Sequence, residues 1–138
     1  MTAAQPVDGR TARRDRNRDA VLDAALELFA GGELFPSAAD VAERSGVSLR
    51  SVYRYYADLD ELTRAAIARH VERNRNWFEM DRPGEGPLAE RIDRFVARRT
   101  ALYERVAPLA RASVARARTD PIVREQLEQR LDLLRWQS

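Results

Sequence analysis

The sequence predicts an all-α fold, and three observations lead to that prediction. Apolar residues recur at helical spacing through most of the 138-residue chain. Polar capping residues and glycine or proline breaks divide this pattern into segments of helix length. The alternation of apolar and polar residues that marks strands is not found in the sequence. The expected architecture is therefore a set of packed helices.

Composition narrows the class of protein. Hydrophobic residues make up 44% and charged residues 33% of the chain, which is typical of a soluble globular protein. No apolar run approaches the roughly 20 residues of a membrane helix, and no secretory signal is visible. We therefore expect a cytoplasmic protein with no membrane partner.

Residue types that carry much enzyme chemistry are scarce. The chain has no cysteine, and His70 is its single histidine. Disulfides, thiolate nucleophiles and metal sites built from cysteine and histidine are therefore excluded. We expect no catalytic residues, no metal and no cofactor, and we predict that the protein is not an enzyme.

Positive charge is concentrated near the N-terminus. All 24 basic residues are arginine, which fits either a GC-rich genome or a need for bidentate contacts to phosphate and guanine. Residues 10–18 contain five arginines and one acid, and the stretch 44–57 contains three arginines and no acid. The sequence therefore has two local basic segments, residues 10–18 and residues 44–57.

The N-terminal segment is predicted to change from disorder to helix. Residues 1–13 show no apolar period, so we expect a disordered basic arm. Its arginines are either a solvated tail or a contact to DNA. A first helix is predicted from about Asp15 to Ala30, where an apolar stripe precedes two glycines.

Two short helices follow in the sequence. Ser37 and Asp40 form a capping-box signature for a helix over 38–44. Gly46 ends that helix, and Ser48 caps a third helix. Two short helices joined by a glycine turn are typical of a helix-turn-helix, although plain bundle corners share this spacing.

The third helix is predicted to present a basic and aromatic face. The apolar positions Val41, Val47 and Val52 pack inward, and Tyr56 is expected in the core. The outward positions are Ser48, Leu49, Arg50, Ser51, Tyr53, Arg54 and Tyr55. Such a face suits contacts to DNA phosphates and base edges.

The rest of the chain also predicts helices. A fourth helix is expected from Asp58 to about Trp77, and the break at 83–87 precedes a long helix that begins at Leu88. Pro108 is expected to start or kink a further helix to about Arg118, and Asp120-Pro121 to begin the last one. The last helix carries Val123, Leu127, Leu131 and Leu134 at apolar positions.

Several downstream side chains fit two interpretations. They are either lining residues of an effector pocket or ordinary core residues. They are His70, Trp77, Phe95 and Tyr103, with Phe78 beside them in the sequence. The expected domains are a helix-turn-helix DNA-binding domain over 14–62 and a second helical domain over 63–138 that is partial.

The helix-turn-helix region resembles the TetR-type (tetracycline-repressor-like) family of transcriptional regulators. The residues that carry the resemblance are Ala24-Ala25-Leu26-Glu27-Leu28-Phe29, Asp40-Val41-Ala42-Glu43-Arg44-Ser45-Gly46-Val47-Ser48, Val52-Tyr53-Arg54-Tyr55-Tyr56 and Leu59-Asp60-Glu61-Leu62. The resemblance covers residues 14–72 and is loose beyond them. It implies a homodimer that binds a near-palindromic operator in double-stranded DNA, usually as a repressor controlled by a small-molecule effector. Residues 63–138 would then be a partial effector-binding and dimerisation domain.

The resemblance also implies roles for individual residues. Ser37 and Tyr53 would hold phosphates, and Ser48 and Ser51 would lie at the DNA-facing start of the third helix. The residues that would approach the DNA bases or the DNA backbone are Arg50, Arg54 and Tyr55. The sequence departs from the family pattern at Ala38, at Arg50 and at Leu59, where a lysine often meets a phosphate.

A different class of function also fits the helical pattern. The chain is alternatively a truncated interaction module that pairs with another regulator, with its apolar last helix as the interface. DNA affinity that falls steeply with salt separates the two hypotheses, since a pure interaction module has no affinity for a duplex.

Overall fold

The computed structural model describes residues 8–79, 82 and 84–136, without the side chains of 133, 134 and 136. Those residues form helices and no strand, which confirms the predicted all-α fold. The helices are α1 (Gly9–Ala30), α2 (Ala38–Ser45), α3 (Leu49–Tyr55), α4 (Leu59–Phe78), α5 (Leu88–Arg116) and α6 (Pro121–Trp136). Three parts of the sequence prediction lie outside the described residues. They are positions 1–7 of the expected arm, Pro83 of the expected break and the side chain of Leu134, which was expected to be an apolar position of the last helix.

Helix α1 begins earlier than the sequence pattern indicates. The expectation of disorder is wrong over residues 9–13, because α1 begins at Gly9 behind the capping residue Asp8. The Asp8 carboxylate accepts a hydrogen bond from the backbone N–H of Arg10 at 3.3 Å. An apolar stripe is not needed where a helix is exposed, and alanine and arginine favour helix on their own. The first basic segment is therefore helical.

Local hydrogen bonds define the ends of α2 and α3. The Ser37 Oγ accepts from the Asp40 N–H at 3.1 Å, and Asp40 Oδ2 accepts from the Ser37 N–H at 2.8 Å. Gly46 has the left-handed φ of 71° and its N–H donates to the carbonyl of Ala42. The predicted caps are confirmed at Ser37, Ser48, Asp58 and Asp120.

One apolar core joins the first four helices. Val21 of α1, Val41 of α2 and Val52 of α3 are each at most 2% exposed. Leu62 and Ala66 extend the same cluster onto α4. Because every one of these helices contributes to one core, the orientation of α3 is fixed by α1, α2 and α4 together.

Helix α5 is longer than expected. Of the two expectations for Pro108, the start of a new helix is wrong, because α5 runs from Leu88 to Arg116 with Pro108 inside it, whereas a kink stays a prediction. Proline removes the amide that would bond the carbonyl of Glu104. Both residues are exposed, so water has access to that carbonyl.

An ion pair connects α5 and α6 to the first four helices. Arg116 Nε donates to Asp120 Oδ2 at 2.7 Å, and both side chains are 11% exposed. The same guanidinium donates to Thr63 Oγ1 of α4 at 3.3 Å. It also lies over the rings of Phe29 and Phe35, at 5.6 and 5.1 Å from their centroids. Arg116 of α5 therefore contacts α1, the segment between α1 and α2, α4 and the residue that caps α6.

None of the described helices is both long enough and apolar enough to cross a membrane.

The left-handed turn at Gly46 generates a stability prediction. The position has open space around it, so a Gly46→Ala substitution is penalised by its positive φ alone. We expect the free energy of unfolding to fall by about 1–2 kcal/mol. Urea unfolding monitored by circular dichroism measures this change. The matched control is Gly9→Ala, which also meets open space but has no positive φ and is expected to cause no loss.

The Arg116–Asp120 pair generates a pH-dependent prediction. Burial raises the pKa of Asp120, but hydrogen bonds from Arg116 and from two backbone amides outweigh it, so that pKa lies below its ordinary value. The stability from the carboxylate is therefore complete above about pH 4 and is lost as the pH falls through the lowered folded-state pKa.

Substitution of Asp120 by asparagine tests this assignment. We expect Asp120→Asn to lower the free energy of unfolding by about 3 kcal/mol at pH 7, because it leaves the Arg116 charge without its partner. The difference from the wild-type protein is expected to shrink below about pH 4. Urea unfolding at several pH values measures it, and a difference that stays constant with pH would contradict the ion pair.

Candidate nucleic-acid interface

Helix α3 presents most of the predicted side chains to solvent. Arg50 and Arg54 are exposed, and Leu49 and Tyr53 are 43% and 54% exposed. Ser48 precedes them as an exposed capping residue. This group, named the α3 outer face, consists of Ser48, Leu49, Arg50, Ser51, Tyr53 and Arg54. It combines positive charge, hydroxyls and an aromatic ring within two helical turns.

Hydroxyl groups order part of the α3 outer face. Ser48 Oγ accepts from the Ser51 N–H at 3.2 Å and donates to Ser51 Oγ at 3.0 Å. Arg54 donates to Ser51 Oγ at 3.4 Å. Arg50 has no side-chain partner among the residues that the structure describes, so its guanidinium keeps all its donors for a ligand.

The position of Tyr55 differs from the prediction. Its ring is 8% exposed and belongs to the core cluster, so the expectation that Tyr55 faces outward is wrong for the ring. The physical reason is spacing, because residue 55 lies three positions after the buried Val52 and shares its helix face. Hydrogen bonds from Arg54 and then Asn17 lower the pKa of the Tyr55 hydroxyl.

Tyr56 is buried as predicted and contacts the basic segment of α1. Its hydroxyl donates to the carbonyl of Arg18 at 3.4 Å, and the Arg18 guanidinium lies 5.8 Å from the ring centroid. Burial raises the pKa of Tyr56. Arg14 acts electrostatically on the neighbouring Tyr55. The two basic segments of the sequence therefore meet beside α3, which sequence spacing did not indicate.

Ser37 is exposed at the start of α2, but its polar atoms already have partners. The hydroxyl donates to Asp40 Oδ2 at 2.7 Å, and the backbone N–H donates to the same oxygen. Those hydrogen bonds lower the pKa of Asp40, which keeps the carboxylate charged. A phosphate at Ser37 would have to replace this bond and lie beside a negative charge.

Leu59 is one of the positions at which the sequence departs from the TetR-type pattern. It is 40% exposed and borders a small cavity of about 90 Å³ together with Phe35 and Pro36. An apolar side chain at this site offers no charge to a phosphate. The structure therefore gives no support for a phosphate contact by residue 59.

Downstream, two of the four predicted pocket residues meet at one cavity. His70 and Tyr103 line a cavity of about 210 Å³, and Phe78 joins them. Trp77 and Phe95 are not part of this lining. The Trp77 ring instead packs under Arg98 and Arg105, at 4.8 and 5.3 Å from its centroid, and the Arg99 guanidinium lies 5.3 Å from the Phe95 ring.

The cavity also has a polar residue that sequence reasoning missed. Arg130 of α6 lies in the lining. No local signal marks this arginine among the 24 in the chain, since its position depends on how α6 packs on α4. Burial and then the charges of Arg130, Arg105 and Arg73 lower the pKa of His70, so His70 is neutral at pH 7.

In the described ranges, no cluster of acidic or histidine side chains has the arrangement of a metal site.

Comparison with known proteins gives one significant likeness. The similar protein is a curated helix-turn-helix regulator. It is the HTH-type transcriptional repressor LfrR of Mycolicibacterium smegmatis, 40% identical over 86 residues. The match covers 60% of this chain and 43% of the relative, so the chain spans less than half of the protein that it resembles. No family model matches the chain, and no solved structure matches it.

Tyr53 and Tyr55, the two tyrosines of α3, generate a prediction about stability. We expect Tyr55→Ala to lower the free energy of unfolding by about 3 kcal/mol, because it removes a buried ring. Tyr53→Ala removes an exposed ring and is expected to change stability by at most about 0.5 kcal/mol. Urea unfolding of both variants measures the difference. Equal losses would show that the two rings have been assigned to the wrong environments.

Proposed function

We propose that the protein is a sequence-specific DNA-binding transcriptional regulator that acts as a repressor. The carrying observation is the α3 outer face, where Arg50 is exposed without a partner among the described residues. In this proposal α3 enters the major groove, and α2 packs behind it. Arg50 binds a guanine edge or a phosphate, and Arg54 and the hydroxyls contact the backbone.

The basic start of α1 supports the same proposal. Arg14 lies beside Tyr55 of α3 and Arg18 beside Tyr56, the residue that follows α3, so their charges add to those of the α3 outer face. A helix that is positioned by Tyr56 holds these arginines more rigidly than a disordered arm does. We assign them contacts to phosphates that flank the groove.

The likeness to LfrR supports a repressor of the helix-turn-helix class. The narrower proposal is a TetR-type cytoplasmic regulator that binds a near-palindromic operator as a homodimer. Two copies of α3 would then read two half-sites about one helical turn apart. Of the residues named for DNA contact, Ser37 and Tyr55 have the weakest support, because the Ser37 hydroxyl is bonded to Asp40 and the Tyr55 ring is buried.

A small-molecule effector is part of the narrower proposal. The cavity that includes His70 and Tyr103 borders α4, and α4 follows directly on α3. An effector regulates DNA binding only if its affinity differs between the two positions of α4. Arg116 bonds both Thr63 of α4 and Asp120 before α6, so in this proposal a movement of α6 is transmitted to α4 through Arg116.

An exposed apolar stripe favours a second candidate, the helical interaction module. This stripe lies on α5 and not on the last helix, where it was expected and where Val123 is buried. Leu88, Ile92 and Val96 of α5 are 67%, 52% and 55% exposed. Such a stripe suits contact with another protein or with a second copy of this chain. In that case the chain binds a partner regulator and has no affinity for DNA.

DNA affinity at several salt concentrations distinguishes the two candidates. Fluorescence anisotropy with a labelled pool of random duplexes measures it. For the DNA-binding function, affinity is expected to fall steeply with salt, and the Arg50→Ala/Arg54→Ala variant is expected to bind more weakly with a salt slope lower by about 2. The interaction module is expected to show no binding at any salt concentration.

Two arginines outside the proposed interface provide the matched control. Arg111 and Arg118 are exposed on α5 and just beyond its end, so the Arg111→Ala/Arg118→Ala variant removes the same charge elsewhere. We expect its salt slope to equal that of the wild-type protein. If both double variants lose affinity equally, binding depends on net charge, and the role of α3 is wrong.

A further inference from the structure

The cavity of about 210 Å³ has a distinct chemical character. Most of its lining consists of apolar side chains from α1, α4, α5 and α6, including Phe29, Ile67 and Leu127. It opens to solvent beside Tyr103 and Leu131, which are 56% and 45% exposed. An apolar cavity of about 150 Å³ holds a benzene molecule, so this cavity has room for a small amphipathic compound.

Among the lining residues that the structure describes, Arg130 is the single charged group and none is acidic. Its side chain is half-buried on α6 and has no hydrogen-bond or ion-pair partner in the part of the chain that the structure describes. Burial lowers the pKa of Arg130, although a guanidinium stays charged at neutral pH. A partly desolvated cation without a counter-ion is a binding site for an anion.

The charged residues around the cavity also favour an anion. Arg105 and Arg73 raise the positive potential at His70, which borders the cavity. His70 and Arg105 both form hydrogen bonds with Asn74, whose amide is neutral and does not offset the arginine charges. A neighbouring cavity of about 330 Å³ differs, because Asp23 and Glu27 in its lining balance its arginines.

We infer that the cavity between α4, α5 and α6 binds an amphipathic carboxylate, whose carboxylate group pairs with Arg130 and whose apolar part lies along Phe78 and Leu127. A neutral apolar ligand leaves the Arg130 charge unpaired, and a cationic ligand is repelled by it. The binding site follows from the cavity itself, whereas its use as the effector site rests on the proposed function.

Three compounds with the same chain and different charge test the inference. Octanoate, octanol and octylammonium are titrated into the full chain, and isothermal titration calorimetry measures their affinities. We expect octanoate to bind about tenfold tighter than octanol, with octylammonium the weakest. Equal affinities, a preference for octylammonium, or no binding of octanoate would each overturn the inference.

Substitution of Arg130 identifies the residue responsible. We expect Arg130→Gln to lose the preference for octanoate over octanol, while the control Arg111→Gln keeps it, because Arg111 is exposed and outside the lining. Thermal unfolding of Arg130→Gln is expected to show no loss of stability, since the variant removes an unpaired charge. If the variant does not fold, the ranking of the three compounds on the wild-type protein remains the test.

A parallel measurement separates this inference from the proposed function. Anisotropy with the random duplex pool is repeated with and without octanoate. DNA binding without octanoate binding overturns the carboxylate site alone. Octanoate binding without DNA binding supports the site and contradicts the DNA-binding regulator.

Discussion

The burial of Val52 and Tyr55 in the core that α3 shares with α1, α2 and α4 is the interaction on which the rest of the structure depends. Helix α3 has seven residues, and a helix of that length is not stable by itself in water. Packing supplies the missing stability, because the buried face of α3 belongs to the same core as Val21, Val41 and Leu62. The opposite face is then held toward solvent in one orientation, and side chains on a rigid element lose less entropy when they bind.

Helix α4 is the element that both halves of the protein share. Toward α1, Arg69 pairs with Asp23 at 2.8 Å, and hydrogen bonding with that carboxylate raises the pKa of Arg69. Toward α5, Thr63 accepts a hydrogen bond from Arg116, whose own partner Asp120 begins α6. A ligand between α4 and α6 therefore acts on the helix that also supports α3. This continuity gives the proposed regulation a physical route, and it needs no contact between the ligand and DNA.

The sequence predicts most of the helix-turn-helix, because the signals for it are local. The Ser37 capping box, the left-handed Gly46 and the Ser48 cap each act within four residues, and the structure has all three. The start of α1 and the start of a new helix at Pro108 were predicted wrongly. Both segments are exposed, and an apolar pattern gives no guidance where a helix faces solvent. Arg130 and its cavity depend on packing between distant segments, and no local pattern reports that.

The central claim is that the outer face of α3 reads base sequence. Selection of bound sequences from random duplexes, carried out with the wild-type protein and with Arg50→Ala, tests it most directly. The account predicts an enriched motif for the wild-type protein and a loss of preference at one base pair of each half-site for Arg50→Ala, because a bidentate contact to guanine contributes about 1–3 kcal/mol of discrimination. Failure to enrich any sequence with the wild-type protein would contradict the claim.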